Sequence, residues 1–147
     1  MPKILITAEN RKFIVRDEEK DLHTNFGMVS SADIKKAKPG DIIKSNTGHE
    51  FSVSEASFID LYRKIKRIAQ IIPQKDVGLI ITEAGLNKDS VIIEAGSGSG
   101  ALGCFLAKIC KKVYSYEIRQ DFYELVKKNR EYLGIKNLIL KNKDANI

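Results

Sequence analysis

The chain has little of what several protein classes require. It carries two cysteines and two histidines in 147 residues. Cys104 and Cys110 fall in one predicted helix, where their spacing turns them to different faces and leaves a disulfide between them without a geometry. So few thiols and imidazoles give a structural zinc site no basis, and no metal is expected. No apolar run approaches the roughly 20 residues of a membrane span. The amino-terminal stretch MPKILITAENRKF has neither the long apolar segment nor the small-residue cleavage site of a signal peptide. A cytoplasmic protein with no membrane partner is expected. There are no internal repeats and no low-complexity tracts. No Gly-Lys-Ser/Thr follows a glycine-rich turn, which excludes a phosphate-binding P-loop.

What is present is basic. Twenty-five Lys and Arg against 19 Asp and Glu give a formal charge of +6. That balance suits an acidic partner, RNA first, although a lysine-rich solvated surface produces it too. The length suits one ordinary domain or two small ones.

The first fifty-odd residues read as short strands between turns. Lys3 to Ala8 and Lys12 to Arg16 are β-rich runs, Lys38-Pro39-Gly40-Asp41 and Asn46-Thr47-Gly48 bracket Ile42-Ile43, and Phe51 and Val53 alternate with polar residues. No helical period persists there. From Ser54 the pattern changes: Phe58, Leu61, Tyr62 and Ile65 share one helix face, opposite Arg63, Lys64, Lys66 and Arg67. That basic stripe is either a solvated face or an RNA contact. After Pro73, Asp76 can cap a second helix that ends at Gly85. From Ser90 the reading is βαβαβ, with strands Val91–Ala95, Val113–Glu117 and Asn137–Lys141 and helices Gly100–Cys110 and Gln120–Leu133. Such alternation implies a parallel sheet. The expected fold is therefore α/β: a partial Rossmann-like sheet (90–147), a helical connection (55–89) and a small β-rich domain in front of it (1–54).

The stretch Glu94-Ala95-Gly96-Ser97-Gly98-Ser99-Gly100 joins the first of these strands to its helix. Gly96-x-Gly98-x-x-Ala101 and Gly98-x-Gly100-x-x-Gly103 both satisfy dinucleotide fingerprints, and Glu117 lies 21 residues after Gly96, where a carboxylate can accept from two ribose hydroxyls. Glu94 decides between ligands. A carboxylate beside the loop would repel a pyrophosphate by on the order of 1 kcal/mol or more in a partly dry cleft, whereas S-adenosylmethionine carries no phosphate and offers a sulfonium and an ammonium. The loop is accordingly read as a cradle for S-adenosyl-L-methionine. The bland alternative is a tight turn with Glu94 as a solvated strand end.

VIIEAGSGSGAL followed by VYSYEIRQDF resembles the tRNA (adenine-58-N1)-methyltransferases, especially their archaeal branch, and TGHEFSV and RIAQIIPQKDVGLI extend the resemblance upstream. It covers roughly residues 40 to 144. Relatives commonly read Pro-Lys-Asp where this chain has Gln74-Lys75-Asp76, its proline standing one place earlier. The resemblance implies a class I fold that binds S-adenosyl-L-methionine. Gly96, Ser97, Gly98, Ser99 and Gly100 would wrap the methionine end, Glu117 would hold the ribose and Ile118 would pack on the adenine. Asp144 would receive the adenine amino group, and Gln70 would flank the cleft. Expected partners are tRNA, methylated at adenine 58 with 57 as a second site, and further copies of the chain in a tetramer. The family's catalytic acid follows a fourth strand, whereas only three strands can be assigned after Ser90. The chain is thus expected to be an amino-terminal part, able to bind cofactor and inactive alone, with unpartnered apolar surface. Two readings from other classes stay open: a non-catalytic RNA-binding or regulatory subunit, and an NAD-dependent oxidoreductase fragment.

Overall fold

The computed structural model describes residues 2–146. It divides into two compact units, Met1–Leu61 and Tyr62–Ile147. The first contains β1 (Lys3–Ile6), β2 (Lys12–Ile14), β3 (Leu22–Thr24), β4 (Gly27–Val29), α1 (Ser31–Lys36), β5 (Ile42–Lys44) and β6 (Glu50–Glu55). Strands β2-β1-β6-β5 form an antiparallel sheet, and β3-β4 form a separate hairpin. In β6 the alternation predicted from Phe51 and Val53 is realised: both are buried while Ser52 is exposed. Leu5, Val15, Val29, Ile34 and Ala37 complete the core around them, with Phe13 set edge-on against Phe51 at 5.9 Å.

Helix α1 is absent from the sequence reading. A six-residue helix is too short to show a period, yet it has a start signal: Ser30 accepts from the Asp33 amide (3.1 Å) and donates to the Asp33 carboxylate (2.7 Å).

The unit ends in a second local lock at the start of α2 (Phe58–Tyr62). Ser57 donates to Asp60 through both its amide and its hydroxyl, and Lys12 donates to the same carboxylate at 2.8 Å. The Lys12 bond first, then Ser57, hold the Asp60 carboxyl down at about 2 from its usual 3.8. A depressed folded pKa stabilises above the unfolded value, and that stabilisation is lost as pH falls through the folded one. Between pH 4 and 2 the first unit should lose stability on this account. Asp60→Asn should remove that leg of the acid transition, measured as the midpoint of urea unfolding against pH.

The second unit holds α3 (Gln74–Glu83), β7 (Val91–Ala95), α4 (Ala101–Leu106), β8 (Lys112–Tyr116), α5 (Gln120–Tyr132) and β9 (Leu138–Lys141). The order β7-β8-β9 is parallel, with Ile92 opposite Val113 and Val113 opposite Leu138. Three helix boundaries differ from the sequence reading by more than one residue, two of them because of partners distant in the chain. The helix predicted from Phe58 to Ile65 stops at Tyr62, because the next backbone turns to meet side chains of α5. Asp76 lies inside the first turn of α3 and Pro73 occupies its cap, where a missing N–H costs nothing. Helix α4 ends at Leu106 instead of Cys110 because Asn137 Nδ2 takes the carbonyls of Ala107 and Cys110 at 2.7 and 2.9 Å. Both cysteines are buried, free thiols; burial pushes Cys104 up to about 12.

One sheet face is lined by the buried Glu94, Val113, Ser115 and Leu138. On the other, Val91 is exposed and Ile93 is 71 % exposed on β7. There Lys141 lies over both Tyr114 and Tyr116, at 5.5 and 5.2 Å from the ring centres.

Candidate cofactor site

The loop after β7 turns over the carboxyl end of β8. The amides of Gly96 and Ser97 both donate to the Tyr116 carbonyl, at 2.9 and 3.2 Å, and the Gly100 amide closes a turn on the Ser97 carbonyl at 2.8 Å. The four glycines do different work. Gly96 and Gly98 have φ of 86° and 54°, and a Cβ on either would meet open space. Gly100 and Gly103 are packing glycines. A Cβ on Gly100 would stand 2.7 Å from Val126 Cγ1, and one on Gly103 would strike the Glu94 carboxylate and approach Leu138 at 3.1 Å.

Glu94 turns inward. Its Oε2 accepts from Ser115 at 2.5 Å, and Ser115 Oγ lies 2.5 Å from Ser97 Oγ, so a buried polar chain ties strand, strand and loop together. Burial first, opposed by the Ser115 bond, raises the Glu94 carboxyl above its usual value and favours the neutral form.

Glu117 is buried at the tip of β8. Oε2 accepts from the Gly98 amide at 3.1 Å and Oε1 from the Arg119 amide at 3.0 Å. Each carboxylate oxygen accepts about two bonds, so one position on each remains for a ligand. Ile118 beside it is 71 % exposed. Asp144 Oδ1 accepts the Asn146 amide at 2.9 Å, a local turn bond that engages one of its two oxygens.

Two cavities flank the loop. The larger, about 530 Å³, is lined by Gln70, Glu94, Gly96, Ser97, Gly98 and Ser99 together with apolar residues such as Ile80, Leu86 and Leu102. The smaller, about 210 Å³, is lined by Tyr116, Glu117, Ile118 and residues 143–146. Ala95 and Gly96 line both. Of the ten residues predicted from the sequence, nine line one or both cavities. Gly100 lines neither; it seats the loop on Val126.

Asn129 was not singled out from the sequence. It is 2 % exposed on α5. Its side chain accepts from the Lys66 amide (3.0 Å) and donates to the Lys66 carbonyl (2.8 Å) and the Ser99 carbonyl (2.9 Å). The Ser99 hydroxyl in turn accepts from the Ile68 amide at 3.3 Å. These bonds fasten the segment leading to Gln70 against the glycine loop and end the helical path after Tyr62. The available signal was an asparagine at the fourth position of the inward series Phe122, Leu125, Val126, Asn129, where a poor helix former needs a specific reason to be buried.

A family described as ribosomal RNA adenine dimethylase matches residues 68–145, more than half of the chain. Among curated proteins, the tRNA (adenine(57)-N(1)/adenine(58)-N(1))-methyltransferase TrmI of Methanocaldococcus jannaschii is 32% identical over 90% of this chain and 47% of its own. Among solved structures, a SAM-dependent O-methyltransferase from Thermotoga maritima superposes with a TM-score of 0.86 and 29% identity, covering 97% of this chain and 56% of that one. TrmI from Aquifex aeolicus, a tRNA (m1A58) methyltransferase, gives 0.82 and 25%, covering 99% and 58%. The chain thus spans about half the length of these relatives. An adenine-methylase profile over the glycine loop, a Rossmann-like parallel sheet and an antiparallel module in front of it all agree: the chain belongs to the ribosomal RNA adenine dimethylase family of class I methyltransferases, and over most of its length it is similar to the tRNA (adenine-58-N1)-methyltransferases.

Proposed function

We propose that this chain carries the S-adenosyl-L-methionine-binding part of a tRNA methyltransferase directed at N1 of adenine 58 in the T loop. The observation that carries the reading is the pair of cavities that meet at a shared wall of Ala95 and Gly96, with open space where side chains would stand on Gly96 and Gly98. Two neighbouring cavities of this kind suit an extended ligand lying across the strand tips. The residues fit the cofactor chemically. Glu117 keeps an acceptor position on each oxygen for the two ribose hydroxyls. Ile118 offers an exposed apolar face to the adenine, and Asp144 keeps Oδ2 for its amino group. Gln70, Ser97 and Ser99 line the larger cavity, where the methionine part would lie. When bound, the cofactor supplies an electrophilic methyl group.

What this chain contributes is placement. The Ser97–Ser115–Glu94 chain and the Asn129 bonds fix the loop before any ligand arrives, so little ordering remains to be done on binding. No described residue is assigned a proton-accepting role. The net positive charge supports tRNA as the partner, and the whole activity is carried over from relatives about twice as long.

Calorimetric titration with S-adenosylhomocysteine, with NAD as the parallel ligand, tests this reading. Saturable binding of the first without the second is expected. Binding of NAD alone would replace it with the oxidoreductase reading.

A further inference from the structure

Beside the larger cavity lies a separate cleft of about 410 Å³, lined by Tyr62, Arg63, Arg67, Gln70, Ile71 and Gln74 among others. Gln70 and Ile71 belong to both walls. The cleft has no carboxylate in its lining. Among the described residues, neither Arg63 nor Arg67 forms an ion pair with an acidic side chain, and both are exposed.

Their placement is built in. Tyr62 and Ile65 are buried on the same short segment, which leaves Arg63 to project from the surface. The Lys66 backbone is held on both sides by Asn129 and the Ile68 amide by Ser99, which fixes Arg67 between two anchored residues. Two unneutralised guanidinium groups thus face a cleft that opens next to the proposed methyl-donor site. A guanidinium fork matches phosphate oxygens in shape and charge.

We propose that this cleft seats a backbone phosphate of the RNA substrate, next to the nucleotide whose base enters the larger cavity. The proposal rests on the reading above that the substrate is RNA, and it adds the residues that hold it. Arg63 and Arg67 are binding and positioning residues in this account, and Gln70 forms the partition between phosphate and cofactor.

The test is fluorescence anisotropy of a labelled, unmodified tRNA transcript over a range of salt, with S-adenosylhomocysteine calorimetry on every variant. Arg63→Ala with Arg67→Ala should weaken RNA binding about tenfold or more and reduce the slope of log K against log salt by about two. Each single substitution should reduce it by about one. The paired lysine substitutions should keep most of the slope, since a point charge still serves a phosphate. Lys127→Ala with Lys128→Ala, an equal loss of charge on the exposed side of α5, should change RNA binding far less. Cofactor-product affinity should be the same in all. RNA binding unchanged in the double alanine variant, with that affinity intact, would overturn the cleft and leave the cofactor reading standing. Equal losses in the lysine-pair control would also overturn it, showing diffuse attraction only. A wild-type chain that binds S-adenosylhomocysteine but no RNA would overturn the RNA substrate and the cleft together.

Discussion

Glu117→Ala is expected to lower affinity for S-adenosylhomocysteine about a hundredfold. The wild-type carboxylate is fixed by two backbone amides at 3.1 and 3.0 Å, so it meets the ribose without further ordering. Hydrogen bonds to a charged acceptor contribute about 1.5–3 kcal/mol each. Losing two removes roughly 3 kcal/mol or more, which is about two factors of ten. The same change strips the Gly98 and Arg119 amides of their acceptor, so the second unit should also melt earlier. Glu117→Gln separates the two effects. Its single acceptor oxygen can serve one amide while its NH2 group confronts the other, so affinity should fall between wild type and the alanine variant. Unchanged affinity in the alanine variant would reduce Glu117 to a strut of the loop.

The second large effect belongs to stability. Gly100→Ala places a methyl 2.7 Å from Val126 Cγ1 and 3.1 Å from Cγ2, at a φ of 74°. The left-handed conformation costs an alanine about 1–2 kcal/mol, and overpacking typically adds about 1–3. Val126 is fully buried and β-branched on a helix, so it cannot rotate away cheaply. A total of roughly 2–5 kcal/mol is a large share of the ~5–15 that holds an ordinary domain together. Chemical denaturation should show the second unit mostly or wholly unfolded under conditions where the wild type is native. Adding Val126→Ala should recover the packing part and not the backbone part, a coupling that a double-mutant cycle resolves. Gly96→Ala is the contrasting case. Its Cβ meets nothing, so it should lose ligand affinity with the smaller stability cost of its φ alone.

The parallel half of the fold was legible because its signals are local. Apolar runs of strand length, a glycine cluster between them and Gly85 and Gly134 after the helices can all be read within a few residues. Those two glycines close their helices in the left-handed conformation, with the Leu86 amide bonded back to Ile81 and the Ile135 amide to Arg130. The candidate site was legible for a related reason: the tips of β7 and β8 and the turn after β9 are fixed once the strands are placed. The errors came from partners distant in sequence. Asn129 meets Lys66, 63 residues away, and nothing near Lys66 announces that its helix will be interrupted. Asn137 shortens α4 in the same manner, from 30 residues away at Ala107. Glu94 lines the larger cavity beside the loop, but its bond to Ser115 is not visible from the sequence. Whether a strand-end carboxylate faces the loop mouth or the core depends on Ser115 and Gly103, and their proximity to it is tertiary.

The most direct measurement of the central claim is a two-dimensional amide NMR titration of the chain with S-adenosylhomocysteine. The account predicts that the largest shifts fall on Gly96, Gly98, Glu117, Ile118 and Asp144, residues of the two neighbouring cavities, and that amides of the first unit stay still. Saturable shifts centred elsewhere, or none in a chain whose spectrum shows it folded, would contradict it.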